Sequence, residues 1–191
     1  GNSYFWFLGA LFQLTLVFFA KETLQGDDHL VGYLQASVAL GIGFGSLFAG
    51  FLSRGKIEYG LILPGGVMTA LFALLLGFWG DTRSSAFLFS AGLGFCGGFF
   101  QLPLVTSIQK RSPKRCLGRY LGAGNALDCI AMICASLVQW LLLGVFHVQA
   151  GTVFVFIGLL TLAVLLLMAG KAPTLMQRSG KLASSLHRRF S

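Results

Sequence analysis

Charge is what this sequence has least of. Lys, Arg, Asp and Glu together make up 10% of its 191 residues, against 55% hydrophobic. Soluble domains carry about 25% charged residues, so too little polarity is available to cover a globule in water. Carboxylates are the scarcest group, with six against 14 Lys and Arg. Cysteine is limited to four, with no C-x-x-C, which argues against a disulfide framework or a metal site. Cys96, Cys129 and Cys134 fall in apolar runs and read as packing residues; Cys116 falls in a basic stretch. Three catalytic signatures are missing as well: G-x-x-x-x-G-K-[ST], H-E-x-x-H and G-x-S-x-G. Their absence speaks against an ATP-driven pump or an intramembrane metalloprotease. The expectation is a chain that is not an enzyme and uses no cofactor. Residues 1–24 lack the basic start and small-residue cleavage site of a signal peptide.

What the chain has in abundance is long apolar runs. About 20 mostly apolar residues cross a bilayer core as a helix. Six stretches qualify: 4–20, 30–52, 61–79, 86–107, 120–146 and 152–169. Short polar segments separate them. The sequence predicts an all-α membrane protein with a six-helix lobe over 1–170 and a basic tail over 171–191.

The net charge of +8 sets orientation and is no nucleic-acid footprint, because the cations sit at the ends of apolar runs. With the N-terminus on one side, that side receives Arg54 and Lys56, then Lys110, Arg111, Lys114, Arg115 and Arg119. It also receives Lys171, Arg178, Lys181, Arg188 and Arg189. Only Lys21 and Arg83 remain for the other. Positive charge accumulates on the cytoplasmic side, so both termini are expected in the cytoplasm. The loop carrying Arg111 and Arg119 is expected against anionic lipid.

Polar residues inside the spans have to find partners or face a cavity. The first span holds Gln13 and Thr15, the second Gln35, Ser37 and Ser46, and the fourth Ser90, Gln101, Thr106 and Ser107. The fifth holds Asn125, Asp128, Ser136 and Gln139. The third and sixth have only Thr69 and Thr161 inside them and read as lipid-facing. This pattern has a period of three helices, as in a three-plus-three repeat. Small residues four apart (Gly41, Gly45 and Ala49; Gly94 and Gly98; Gly118, Gly122 and Ala126) let backbones approach closely. They serve either ordinary packing or sliding against a second lobe. Asp128 is the one carboxylate inside a span, about 12 Å in at 1.5 Å per residue. It lies three residues from Asn125, which predicts one shared face. It is either a functional group or a hydrogen-bonded packing residue. Gln101 lies two residues before Pro103, which is expected to kink the fourth helix.

The six-helix lobe with polar first, second, fourth and fifth helices resembles one half of a major facilitator superfamily transporter. Three stretches narrow the resemblance. They are Tyr4-Phe-Trp-Phe-Leu-Gly-Ala-Leu; Gly41 to Ser53 with Lys56-Ile-Glu-Tyr-Gly-Leu; and Pro103-Leu, Gln109, Arg111-Ser-Pro, Gly118-Arg and Asn125. Together they are similar to the bacterial lysophospholipid transporters, including the branch fused to an acyltransferase. Three features depart from the pattern. No acidic residue precedes Arg54-Gly-Lys56, Asp128 stands where the family often has Asn, and no His-x4-Asp occurs.

The resemblance implies that this chain is the C-terminal lobe of a carrier of lysophosphatidylethanolamine. It implies a bacterial inner membrane, an N-terminal lobe as partner, and an acyltransferase fused beyond the chain or associated with it. On that view the chain is a fragment. Gln13, Gln101, Asn125 and Asp128 would line the headgroup path during alternating access. Two other readings stay open: a major facilitator carrier of a sugar or drug, and a non-transporting anchor for an enzyme domain.

Overall fold

A computed structural model describes residues 2–53, 62–111 and 117–171, apart from the side chains of 107–111 and 169–171. Six long helices run in order: α1 Asn2–Glu22, α2 Asp28–Ser53, α3 Ile62–Trp79, α4 Arg83–Arg111, α5 Leu117–Gln139 and α6 Ala150–Lys171. All six contain stretches long and apolar enough to cross a membrane, and no strand occurs among the described residues. The chain is an all-helical, multi-pass membrane protein. The tail beyond Lys171, the segment 54–61 between α2 and α3, residues 112–116 and the side chain of Arg111 lie outside the described residues.

Most helices run a few residues past the apolar spans, because polar residues at the bundle ends cap them instead of stopping them. Asp27 Oδ1 accepts from Leu30 N at 3.0 Å at the start of α2. Thr82 Oγ1 accepts from Ser85 N at 3.3 Å, and Ser85 Oγ accepts from Thr82 N at 3.3 Å, a reciprocal cap on α4. Past Gln139, α5 widens into a π-helical turn, Trp140–Val145, which the apolar run does not announce.

The packing repeats after three helices. α1 contacts α5, α6 and α2; α4 contacts α2, α3 and α5, and α3 lies on α6. Exchanging the first three helices for the last three returns the same neighbour list. Because each half has three spans, an odd number, the halves cross the membrane in opposite senses.

The two equivalent crossings use different chemistry. Between α2 and α4 the contact is backbone on backbone. A Cβ on Gly41 would strike Ala91 O, one on Gly45 Phe95 O, and one on Gly94 Val38 O. The glycine row of α2 is therefore consumed inside the bundle. The row on α5 is not, since Gly118 and Gly122 have no atom within 4 Å of such a Cβ position. Between α1 and α5 the contact is a narrow stripe on α5, with Asp128, Ala135 and Gln139 buried.

The main core gathers Leu11, Leu16, Phe19, Leu34, Leu76, Val153 and Phe154 from α1, α2, α3 and α6. Phe154 packs against Phe12 at 5.3 Å and Phe19 at 5.2 Å. Outside, Phe44, Leu47, Phe51, Ile133, Leu166 and Trp79 stand more than half exposed. In hydrocarbon such a surface needs no cover, because lipid tails are as apolar as leucine.

Candidate functional site: a central cavity and a polar seam

A cavity of about 60 Å³ lies at the centre of the bundle. α1 lines it with Phe5, Leu8, Gly9, Phe12 and Gln13, and α4 with Leu93, Gly94, Gly97 and Phe100. α2 adds Val38 and Ile42, α3 adds Gly66 and Thr69, and α6 adds Ile157 and Thr161. Gly9 meets nothing within 4 Å of a built Cβ and leaves room on the α1 side. The polar lining side chains are Gln13, Thr69 and Thr161. Both threonines send their proton back along their own helix, Thr69 to Gly65 O at 2.8 Å and Thr161 to Ile157 O at 2.7 Å. That leaves the exposed Gln13 amide as the cavity's unspent donor and acceptor.

The lining overturns one sequence expectation. α3 and α6 are not wholly lipid-facing: each turns its single internal threonine onto the cavity, while no α5 residue lines it. Tyr4 on α1 donates to Thr161 Oγ1 at 3.4 Å, which ties α6 to α1 beside the cavity. An isolated Thr in an apolar helix gives no hint of which face it will present.

The residues expected to share one path fall in separate places. Gln13 is at the cavity. Gln101 is half-buried on α4 and outside the cavity lining. Asn125 is exposed on α5, while Asp128, three residues on, is 6% exposed. The expected common face is thus split at its edge. A three-residue step turns a helix by about 300°, which places one residue on the contact stripe and the other beside it. Arg119 is exposed at the start of α5.

Asp128 is fully engaged. Asn2 Nδ2 donates to its Oδ2 at 2.6 Å, and Ser3 Oγ donates to its Oδ1 at 2.7 Å. Eleven residues along α5, Gln139 meets Thr15, with the Thr15 Oγ1 2.9 Å from the side-chain amide. α1 and α5 are therefore parallel and joined at two levels by polar clips, the buried counterpart of the glycine contact between α2 and α4. Asn2, Ser3 and the Gln139–Thr15 pair were not legible as a unit, because each pair is more than 120 residues apart in sequence.

No family model matches the chain, and no solved structure matches it. Curated relatives do. Over 128 residues it is 30% identical to the lysophospholipid transporter LplT of Cronobacter sakazakii, covering 66% of this chain and 30% of that protein. Over 154 residues it is 30% identical to the protein of the same name from Yersinia enterocolitica, covering 78% of this chain and 35% of that one. The Escherichia coli O157:H7 protein of that name matches at 30% over 128 residues. The chain thus spans about a third of the length of the curated relatives it matches.

Proposed function

We propose that this chain is a six-helix lobe of a major facilitator-type lysophospholipid transporter in a bacterial inner membrane. The similarity at 30% identity over 66–78% of the chain to proteins named lysophospholipid transporters carries the reading. The cavity lining supports it. A sugar site needs several convergent hydrogen-bond donors and acceptors, because each unmet polar group costs about 1–3 kcal/mol on burial. Here Gln13 is the one uncommitted amide among phenylalanine, leucine and glycine walls, which suits an acyl chain with a polar group at one end.

The mechanism is rocking of this lobe against a second one, with the open glycine row of α5 and the exposed face of α2 turned toward that partner. Lysophosphatidylethanolamine enters from the outer leaflet and leaves on the cytoplasmic side, where an associated or fused acyltransferase would reacylate it. Gln13, Gln101 and Asn125 meet the headgroup along the way. Asp128 acts indirectly, by fixing α5 against α1. The basic segment with Arg111 and Arg119 rests on anionic lipid, each cation contributing about 1 kcal/mol.

The test is uptake of labelled lysophosphatidylethanolamine by spheroplasts expressing the full-length protein, with Gln13→Leu at matched expression. Uptake that falls at least tenfold in the variant supports the reading. No uptake by well-inserted protein would sink it.

A further inference from the structure

A second opening lies between α1 and α5, a groove of about 320 Å³. Leu14, Phe18 and Glu22 form one wall; Ser136, Gln139 and Trp140 form the other. It sits where α1 ends and α5 enters its π-helical turn. The cation distribution places that end of the bundle on the side away from the cytoplasm. None of the groove's residues is Lys or Arg, and Glu22 brings its one formal charge. The neighbouring cation, Lys21, is held 2.9 Å from Asp28, so Glu22 has no ion pair among the described residues.

Gln139 adds a second acceptor. Its side chain is 4% exposed, and the end of its amide away from Thr15 has no hydrogen-bond partner. Thr15 Oγ1 lies 2.7 Å from Leu11 O and 2.9 Å from the Gln139 amide. A hydroxyl has one proton, and the shorter contact to a backbone carbonyl takes it. The Thr15 oxygen then accepts from Gln139 Nε2, and the amide orientation follows from that network. As placed, Gln139 Nε2 is the buried atom without a partner; with the two amide atoms exchanged to suit the Thr15 proton, Oε1 takes that place and lacks a donor. The Ser136 hydroxyl also gives its proton away, to Met132 O at 3.1 Å. What remains on this groove is a carboxylate, two oxygens short of a donor, and the 63%-exposed indole of Trp140. That set has the Trp140 indole N–H as its donor beside a carboxylate, and is complementary to an ammonium group, which pairs with carboxylates and with aromatic faces. π-Helical turns recur at functional sites, and this one begins at Trp140.

We propose that the groove is a subsite for an alkylammonium group, held by Glu22, Gln139 Oε1 and the Trp140 ring. It rests on the transporter reading only for the source of that group, the headgroup amine of an outer-leaflet lysolipid. A water-soluble amine offers the same chemistry, and the test separates the two.

The experiment uses full-length protein in nanodiscs with Trp140 as its single tryptophan, titrated with lysophosphatidylethanolamine, lysophosphatidylglycerol or ethylammonium. The expected result is a saturable change in Trp140 emission with lysophosphatidylethanolamine, weakened at least tenfold by Glu22→Gln. Lysophosphatidylglycerol, which lacks the amine, should respond equally in both proteins. Glu22 is exposed, so its variant folds. If Glu22→Gln and Gln139→Leu both leave lysophosphatidylethanolamine binding unchanged, the subsite is overturned while lipid binding stands. If ethylammonium saturates and neither lysolipid binds, the subsite stands and the lysophospholipid reading falls. Silence from all three ligands in folded protein overturns both.

Discussion

Ser3 on α1 donates to Asp128 on α5 at 2.7 Å, across 125 positions of sequence. With Asn2 on the other carboxylate oxygen, this bond holds the middle of α5, a helix that touches the bundle along a single stripe.

Removing the carboxylate should loosen α5. Hydrogen bonds to a charged group contribute about 1.5–3 kcal/mol each, offset by the desolvation of the buried charge. Asp128→Ala is expected to lower unfolding free energy by about 1–3 kcal/mol, read by denaturant titration in detergent. Asp128→Asn keeps an acceptor and should lose less while retaining uptake. An Asn variant with normal stability and no uptake would assign the charge itself to transport.

The two glycine rows should respond differently. Gly45→Leu pushes a side chain into the α4 backbone at Phe95 and is expected to abolish folding of the lobe, since overpacking costs about 1–3 kcal/mol even where side chains can yield. Gly122→Leu meets open space. It should leave the helix content and the unfolding midpoint unchanged, yet reduce uptake by blocking approach of a second lobe. Normal uptake by the Gly122 variant would remove α5 from that interface.

Filling the cavity should stop transport without unfolding the bundle. Gly9 faces it with nothing within 4 Å. Gly9→Phe is expected to cut uptake at least tenfold with an unchanged circular dichroism melt.

Orientation can be read directly with cysteines. In a cysteine-free background, Ser84→Cys should react with an impermeant maleimide in intact spheroplasts. Cys116 retained alone should react only after permeabilisation. The reverse pattern would invert the topology and turn the α1–α5 groove toward the cytoplasm.

How much of this the sequence discloses depends on the range of the interaction. The six spans are legible because apolar length is a local property. The close α2–α4 contact is nearly so, because four-residue glycine spacing is local too, although Gly41 and Gly118 look alike in sequence and end on opposite kinds of surface. Asp128 stands out as a lone carboxylate. Its partners do not, because Asn2 and Ser3 precede the first apolar run and read as a polar end. Thr69 and Thr161 each look solitary until the fold brings them to one cavity. Gln139 and Thr15 are ordinary polar residues whose meaning arises only from pairing. The π-helical turn at Trp140 leaves no mark in Trp-Leu-Leu-Leu-Gly-Val.

The bond between Asp128 and the first residues of α1 also bears on biogenesis. A carboxylate at the middle of a helix enters hydrocarbon at a penalty of about 2.5–3.5 kcal/mol. α1 is synthesised well before α5, so Asn2 and Ser3 are already in place when Asp128 leaves the translocon. The receptor for the awkward side chain is built first, and the late helix inserts as a guest with its berth prepared.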